Sequence, residues 1–303
     1  MQIFYTDEFV LPLPPGHRFP MEKYRLLREA VAAPGGVTGV RLGVPAPTSD
    51  GELRLVHTPG YLAAVIAGTL ERRAARAIGF PWSPGMVERS RRSVGATVAA
   101  ARAALDDGAG ANLAGGTHHA FPDRGGGFCV FNDVAVATRI LQREGRVRQV
   151  AVLDLDVHQG DGTAAIFRGD PSVFTVSVHG GANYPFRKEQ SDLDLPLDDG
   201  AGDDAFLPAV ARATEAAVEE GRPDLLFYIA GADPHEGDRL GRLAVTRGAL
   251  ARRDEWVVEA CRSRGIPVAV VMGGGYGRDI RETVQIHLAS VRAVAGLAGA
   301  PAG

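Results

Sequence analysis

The chain has 303 residues, of which 45% are hydrophobic and 23% are charged, and its formal net charge is −3. This is the composition of an ordinary globular protein, so a disordered, collagenous or coiled-coil chain is excluded. The small net charge also gives no general attraction to nucleic acid or to an anionic membrane surface, and neither is expected as a partner.

Neither a secretion signal nor a membrane-spanning segment is expected from the sequence. Its two cysteines, Cys129 and Cys261, are too few for a disulfide framework and suit a reducing compartment. The N-terminal segment contains Asp7 and Glu8 and lacks the cationic start of a signal peptide. No apolar run approaches the roughly 18 residues that a membrane-spanning helix needs. We therefore expect a cytoplasmic protein.

Short apolar runs that are typical of buried strands alternate with longer stretches of helical periodicity. The strands are predicted at Ala111–Leu113, Val150–Leu155, Val173–Val178, Leu225–Ala230 and Val268–Met272. The helices are predicted at about Val87–Leu105, Val134–Arg143, Phe206–Glu220, Gly248–Arg264 and Ile280–Val294. This alternation indicates one α/β domain over residues 1–303, with a mostly parallel central sheet and helices on both faces. The stretch from His179 to Gly202 is predicted to be a long irregular loop.

Polar side chains that can bind metals or move protons follow each predicted strand. In chain order they are His118 and His119, then Asp154, Asp156, His158 and Asp161, then His179, then Asp233, and finally Tyr276. Because the carboxyl ends of parallel strands meet at one edge of a sheet, we expect these side chains to converge there. The sequence therefore predicts an active site at the C-terminal edge of the sheet.

The spacing at the end of the second predicted strand favours a metal site. Residues two apart in a strand have their side chains on the same face. The side chains of Asp154, Asp156 and His158 are therefore expected on one face of the chain where the strand ends. Asp156 and His158, joined by Asp233 from another loop, would supply three ligands and leave a position open, which is the catalytic pattern for zinc. Two carboxylates and one imidazole also suit Fe(II), Co(II) and Mn(II), so these ions stay open.

Asp154 lies inside an apolar run, where an unpaired carboxylate would cost several kcal/mol. Its expected partner is an imidazole of the tandem pair His118 and His119. That pair follows Gly115 and Gly116, and glycines at this place suit a close approach of the backbone to a ligand.

The other cysteine and histidine candidates are weaker. Cys129 has no activating base beside it in the sequence and is predicted to be a buried wall residue rather than a nucleophile. His57 and His287 are predicted to be structural, whereas the roles of His17 and His235 are left open.

Four segments together resemble the signature segments of the histone deacetylase and acetylpolyamine amidohydrolase superfamily: GGTHHAFPDRGGGFCVFND, DLDVHQGDGT, AGADPHEGDRLG and GGGYG. Within it, HRFPMEKY, SDLDLPLDDGAGD and EGDRLGRL are similar to the class IV branch and its bacterial relatives. The resemblance runs from about Tyr5 to Thr283. It implies the arginase/deacetylase-type α/β fold, with the active site at the C-terminal edge of the strands.

The resemblance also implies a role for each converging side chain. The implied metal ligands are Asp156, His158 and Asp233, in agreement with the spacing argument. The implied catalytic residues are two carboxylate–imidazole pairs and a tyrosine that hydrogen-bonds the substrate carbonyl: Asp154 with His118, Asp161 with His119, and Tyr276.

Substrate contacts and a second ion site are implied in the same way. Gly127 corresponds to a glycine whose carbonyl receives the scissile amide N–H, while Phe128 and Tyr184 fall where the family lines a narrow acyl-lysine tunnel. A structural K⁺ or Na⁺ site is also implied. It is formed by the backbone carbonyls of Asp154, Asp156 and His158 together with Ser177 and Val178.

The implied activity is hydrolysis of an N-acyl amine, with zinc as the favoured ion. The first hypothesis is an acyl-lysine amidohydrolase acting on a protein or peptide. In it His119 is the general base and acid, and His118 is an electrostatic partner or a proton store. Hydrolysis of acetylpolyamines or other small N-acyl amines is the alternative. A catalytically silent acyl-lysine reader is disfavoured, because the ligands, both pairs and Tyr276 are all present.

Two further features bear on the substrate. An anionic entrance to the cavity would favour polyamines as substrates. One cluster of acidic residues is compatible with such an entrance, although a solvated loop is the favoured interpretation of it. The cluster consists of Asp192, Asp194, Asp198, Asp199, Asp203 and Asp204. His235 departs from the pattern of the family and either lines the mouth of the cavity or sits in a turn.

Overall fold

The computed structural model of the chain describes residues 1–298. In that span the strands are β1 (Gln2–Phe4), β2 (Arg41–Gly43), β3 (Ala109–Asn112), β4 (Val150–Asp154), β5 (Val173–Gly180), β6 (Leu193–Leu197), β7 (Leu225–Ala230) and β8 (Val268–Met272). The helices are α1 (Glu22–Ala32), α2 (Asp50–Leu53), α3 (Pro59–Ala67), α4 (Arg72–Ile78), α5 (Pro84–Asp107), α6 (Asp133–Arg143), α7 (Asp161–Phe167), α8 (Asp203–Glu219), α9 (Arg247–Arg262) and α10 (Ile280–Ala295).

The strands form one eight-stranded sheet in the order β2-β1-β3-β8-β7-β4-β5-β6. Every pairing between neighbouring strands is parallel. The predicted α/β class with a mostly parallel sheet is thus confirmed. The described residues form a single α/β domain, and residues 299–303 of the predicted domain lie outside them.

Helices cover both faces of the sheet, and alternate side chains of the central strands point to opposite layers. In β7, Leu226 and Tyr228 pack in a core with α1, α8, α9 and α10, whereas Leu225 and Phe227 pack in a second core with α3, α5 and α6. Because both faces of the central strands are buried, these strands are continuous apolar runs in the sequence rather than alternating ones.

All five predicted strands are present, and the bounds of β7 and β8 match the prediction. The prediction of an irregular loop from His179 to Gly202 was wrong in part. The segment Leu193–Leu197 forms the edge strand β6, which pairs with β5. Asp194 and Pro196 interrupt its apolar pattern, and both are tolerated because an edge strand has one unpaired side.

None of the helices within residues 1–298 combines the length and the apolar character needed to cross a bilayer.

Candidate active site

Four neighbouring strands in the middle of the sheet, β3, β8, β7 and β4, end at the same edge. The loops that follow them surround a cavity of about 610 Å³. Its lining includes five of the nine side chains that the sequence predicted to converge: His118, His119, Asp156, His158 and Tyr276. The three substrate-contact residues that the resemblance implied also line it: Gly127, Phe128 and Tyr184. The predicted place of the site, at the C-terminal edge, is therefore where these side chains meet.

The three predicted metal ligands lie together, and two of them, Asp156 and His158, line the cavity. Strand β4 ends at Asp154, and the chain then turns so that Nδ1 of His158 lies 3.0 Å from Oδ1 of Asp156. The same nitrogen lies 3.1 Å from Oδ2 of Asp233. One ligand atom from each of the three buried residues lies within 4.8 Å of the others. Separations near 3 Å fit nitrogen and oxygen ligands that are each about 2.0–2.2 Å from one ion.

Backbone groups and two glycines hold the two carboxylates of this cluster in place. The N–H of Gly274 donates to Oδ2 of Asp156 at 2.5 Å, and the N–H of Val157 donates to Oδ1 of Asp233 at 3.0 Å. A Cβ on Gly274 would lie 1.8 Å from Oδ2 of Asp233, and one on Gly231 would lie 2.5 Å from Cα of Asp156. Side chains at these two positions would displace the carboxylates.

The charges of the cluster favour a bound cation. Burial and the neighbouring charge of Asp156 raise the pKa of Asp233 to about 7. Burial alone would lower the pKa of His158, but its hydrogen bonds with Asp156 and Asp233 raise it to about 10. Two carboxylates at one buried place therefore need a positive charge beside them, which an imidazolium or a divalent ion can supply.

Each histidine of the tandem pair forms a hydrogen bond with its own buried aspartate. Nδ1 of His118 lies 2.7 Å from Oδ2 of Asp154, and Nδ1 of His119 lies 2.7 Å from Oδ1 of Asp161. A carboxylate acceptor at Nδ1 assigns the proton to that nitrogen and leaves Nε2 as the atom that exchanges a proton with a ligand. These are the pairings that the family resemblance implied.

The two imidazoles differ in charge although their ring centroids are only 4.2 Å apart. Burial lowers the pKa of His118, but the carboxylate of Asp154 outweighs it and raises the pKa to about 9. Burial and the positive charge of His118 lower the pKa of His119 to about 4, against the effect of Asp161. At neutral pH, His118 is therefore an imidazolium and His119 is a neutral base.

Aromatic rings form a wall of the cavity. The ring of Phe128 lies 5.2 Å from that of Phe19 and 5.3 Å from that of Phe80, measured between centroids. Tyr184 stands edge-on to His119 at 4.8 Å. The sequence predicted Phe128 and Tyr184 in this wall, but it gave no signal for Phe19 and Phe80, which lie outside helices and strands.

The segment that carries Gly127 and Phe128 has a constrained backbone. Both residues have positive φ, 51° and 66°, and a Cβ on Gly127 would lie 2.6 Å from Cδ2 of His119. The N–H of Gly127 donates to the carbonyl of Ala77, and that of Phe128 donates to the carbonyl of Ile78. Glycine is therefore required at position 127 for the backbone to approach His119 so closely.

Cys129 lines the same cavity as a wall residue. Its side chain is buried, and its thiol lies 3.5 Å from the carbonyl of Gly127. Burial raises the pKa of this thiol well above its usual value, so the reactive thiolate is disfavoured. These contacts support the predicted wall role.

Tyr276 reaches the cavity from the loop after β8, and a neighbouring turn fixes its backbone. Its N–H donates to Oδ2 of Asp238 at 2.6 Å, and its carbonyl accepts from Nε of Arg239 at 2.8 Å. Its ring packs 6.0 Å from that of Phe128. The sequence predicted Tyr276 but not the two residues that hold it.

His179 lies outside the site, which corrects the prediction for it. The residue belongs to strand β5 rather than to a loop, and its buried ring hydrogen-bonds the hydroxyl of Ser177 at 3.0 Å. It is absent from the residues that line the cavity in the described part of the chain. The strand is two residues longer than predicted, and this places His179 in the sheet.

The remaining histidines have structural surroundings. His57 is buried between the carbonyl of Phe121 and the N–H of Asn132, at 3.1 and 3.0 Å, and His287 is buried on α10. His17 lies 2.9 Å from the carbonyl of Gly79 and packs against the ring of Phe128.

His235 sits in a turn, where its Nδ1 accepts the N–H of Gly237 at 3.1 Å. This contact supports the second of the two placements that the sequence left open for His235.

The acidic cluster does not form an anionic entrance. None of its six aspartates lines the cavity within residues 1–298. Asp192 accepts hydrogen bonds from the N–H and hydroxyl of Thr175, and Asp203 accepts those of Thr246. These carboxylates instead stabilise the strand and helix ends nearby.

The chain matches the histone deacetylase domain over residues 17–291. It is 47% identical over 285 residues to an uncharacterized protein of Picosynechococcus, covering 94% of this chain and 95% of that protein. It is 31% identical over 280 residues to a histone deacetylase-like amidohydrolase of Pseudomonas aeruginosa, covering 88% and 74%. The crystal structure of an acetylpolyamine aminohydrolase from Burkholderia pseudomallei has the same fold, with a TM-score of 0.76, 23% identity, and coverage of 99% of this chain and 100% of that one.

Proposed function

Since this chain belongs to the histone deacetylase family, we propose that it is a zinc-dependent hydrolase that removes acyl groups from the Nε of acyl-lysine in a protein or peptide. The proposal rests on one observation, the arrangement of these residues around a single cavity. The three clustered ligands lie beside both aspartate–histidine pairs and Tyr276, under an aromatic wall.

Asp156, His158 and Asp233 would hold the catalytic ion, with zinc as the favoured metal and Fe(II), Co(II) and Mn(II) as alternatives. When bound, such an ion supplies Lewis-acid chemistry, which polarises the acyl carbonyl and lowers the pKa of water. A structural K⁺ or Na⁺ is proposed beside it, at the carbonyls of Asp154, Asp156 and His158 with Ser177 and Val178. The pairing of Asp154 with Ser177 across β4 and β5 supports this second site.

The protein's own residues move the protons. His119, neutral at pH 7, takes a proton from the attacking water through Nε2 and returns it to the leaving amine. His118 keeps its proton, and its positive charge stabilises the anionic transition state. Asp154 and Asp161 hold the two rings in the required tautomer and orientation.

The remaining residues orient the substrate. The hydroxyl of Tyr276 donates to the oxygen of the acyl carbonyl as negative charge develops there. The carbonyl of Gly127 accepts the N–H of the scissile amide. Phe128 and Tyr184 enclose the methylene chain of the lysine and keep bulk water from the reacting atoms.

The proposal is tested by acyl release from a lysine peptide. Purified protein should release acetate or a longer acyl group, lose this activity when treated with a chelator, and regain it when a divalent ion is added. A panel of acyl chains from acetyl to myristoyl, on peptides and on polyamines, identifies the substrate. Absence of acyl release from all of them, with each of the four metals, would refute the hydrolase proposal.

A pair of aspartate substitutions tests the ligand assignment. Asp233→Ala should lose both bound metal and activity, because it removes one of three protein ligands. Asp198→Ala removes an exposed carboxylate and serves as the matched control. An active Asp233→Ala variant with undiminished metal content would contradict the assignment.

The cytoplasmic location of the protein stays a prediction.

A further inference from the structure

The side chains of fixed charge that line the cavity are predominantly cationic: Arg18, Lys23, Arg89, Arg239 and Arg242. The carboxylate among the lining residues of the described chain is Asp156, which belongs to the proposed metal cluster. A carrier that docks over the cavity therefore meets positive charge.

The five cations divide into two groups. Lys23 and Arg89 are buried, and each donates to backbone carbonyls inside the protein. Arg18, Arg239 and Arg242 are exposed. These three form what we call the cationic entrance, because they line the cavity and also face solvent.

Arg18 lies on the Phe128 side of the mouth. The residues before and after it, His17 and Phe19, both place their rings on Phe128, with centroid distances of 5.7 and 5.2 Å. These contacts restrain the backbone on both sides of Arg18. Arg18 thus lines the mouth of the cavity next to the aromatic wall.

Arg242 lies near the other side, where Tyr184 stands, and Arg239 lies beside Tyr276. Nε of Arg239 donates to the carbonyl of Tyr276. The N–H of Arg242 donates to the side chain of Asn183 at 3.2 Å, and Asn183 directly precedes Tyr184. The entrance therefore has positive charge beside both aromatic walls.

Little negative charge offsets the entrance. Arg242 forms one ion pair, with Asp199 at 3.1 Å, in which both side chains are about half exposed. Such exposed pairs are weak and exchange readily with other partners. Within the described residues, Arg18 and Arg239 form no ion pair with a carboxylate.

We propose that the cationic entrance selects acyl-lysine that is flanked by aspartate or glutamate, and that it disfavours polycationic carriers such as polyamines and lysine-rich tails. The inference rests on the proposed hydrolase function and names its substrate class. Opposite charges at the rim speed association and hold the carrier, while like charges repel it, and salt screens both effects.

The test compares three peptides of equal length, in which one acyl-lysine is flanked by glutamate, glutamine or lysine. We measure kcat/KM for acyl release and, separately, binding of the labelled peptides by fluorescence anisotropy. At low ionic strength the glutamate peptide should exceed the lysine peptide about 10-fold in both, the sum of a few weak surface pairs. The ratio should shrink towards 1 at about 1 M salt. A mono-acetylated polyamine should have a kcat/KM as low as that of the lysine peptide.

Charge-reversal variants locate the effect. Arg18→Glu and Arg242→Glu should each reduce the preference for glutamate, and the double variant should reverse it. Arg239 is left intact because its guanidinium also holds the carbonyl of Tyr276. Arg143→Glu is the control: this exposed arginine ends α6, shortly before β4 begins, at the edge of the sheet opposite the site. The preference of the Arg143→Glu variant for the glutamate peptide should equal that of the unmodified protein.

The outcomes separate the two proposals. Equal binding of the three peptides, or a preference that survives the double variant, would overturn the entrance proposal even if every peptide is hydrolysed. Selective binding of the glutamate peptide without acyl release would support the entrance and refute the hydrolase function. A preference for the lysine peptide would mean that the entrance has the opposite selectivity, and it would overturn the entrance proposal.

Discussion

Tyr276 is the side chain that lets the proposed oxyanion stabilisation be separated from metal binding. Its hydroxyl is not part of the ligand cluster, so Tyr276→Phe should leave metal content unchanged. Turnover should fall by about 10²-fold or more, as for the loss of one oxyanion donor. The measurement is kcat alongside metal content.

Tyr5→Phe is the matched control, because the hydroxyl of Tyr5 donates to Glu8 at 3.4 Å, near the N-terminus and away from the ligand cluster. Its kcat should not change. Normal turnover in Tyr276→Phe would remove the hydroxyl from the proposed mechanism.

The ligand cluster was predictable from sequence because Asp156 and His158 follow β4 and Asp233 follows the neighbouring strand β7. The two aspartate–histidine pairs were implied by the family resemblance. The residues that support the cluster and the pairs were not predictable. Phe19 packs against Phe128 from far along the chain, and Arg239 reaches the carbonyl of Tyr276 from another loop. Such contacts depend on how loops fold over one another, which no local pattern records.

The loop after β8 forms one side of the proposed metal site through Gly274. Gly274→Ala would place a methyl group 1.8 Å from Oδ2 of Asp233. The carboxylate must then move, so we expect metal affinity to fall by about 10- to 100-fold, as for other supporting residues of metal sites. Calorimetric titration with zinc measures the change.

Gly60→Ala makes the same chemical change in α3, where a Cβ would have no neighbour within 4 Å. Alanine is the better helix former, so this control should keep its zinc affinity and gain about 0.4–1 kcal/mol in the free energy of unfolding. A Gly274→Ala variant that binds zinc as well as the Gly60→Ala variant would show that the loop can move at no cost.

Helix α9 connects to the site through a fully buried arginine. Nη1 of Arg253 donates to the carbonyl of Gly231 at 2.6 Å, and its Nε lies 2.9 Å from Oδ1 of Asp254. The hydroxyls of Tyr228 and Ser290 also donate to Asp254. The network thereby joins α9, α10 and β7 beneath the turn that leads to Asp233.

Arg253→Met should lower the free energy of unfolding by about 3–5 kcal/mol, because it leaves a buried carboxylate without its cation. The neighbouring Arg252→Met is the control: that side chain is exposed on Trp256 and should contribute no more than about 0.5 kcal/mol. Urea denaturation measures both. Equal midpoints for the two variants would mean that the buried pair does not stabilise this packing.

The elements that sequence predicted well are those with a strong single signal. The strands β7 and β8 are buried on both faces and read as unbroken apolar runs, so their bounds were correct. The strand β6 was missed because it lies at the edge and contains Asp194 and Pro196. The three-residue strands β1 and β2 are too short to show any period, and only pairing with neighbours defines them.

The fold encloses neutral histidines away from the site, and this links the stability of the protein to pH. Burial lowers the pKa of His57 to about 4, and burial likewise lowers that of His179 to about 4. In the unfolded chain both should titrate near pH 6.5. Between these values the unfolded state binds protons that the folded state excludes.

The contribution of each neutral histidine is therefore complete above about pH 6.5 and is lost as the pH falls towards 4. For His57 the loss is about 3 kcal/mol over that window, or about 1.4 kcal/mol per pH unit. We expect the melting temperature of the metal-free protein to fall steeply between pH 6.5 and 4.5. Thermal melts across this range, with chelator present throughout, keep metal release out of the measurement.

His57→Gln isolates one proton of this linkage, because glutamine has both a donor and an acceptor for the carbonyl of Phe121 and the N–H of Asn132 but does not titrate. The variant should be less stable at pH 7 yet lose stability less steeply below pH 6.5, by about 1.4 kcal/mol per pH unit. His179→Gln should change the slope in the same direction, and the two changes should add because the residues lie in different elements. A His57→Gln variant with the unmodified slope would mean that His57 is protonated in the folded protein, and the acid sensitivity would then have to arise from the paired carboxylates of the site.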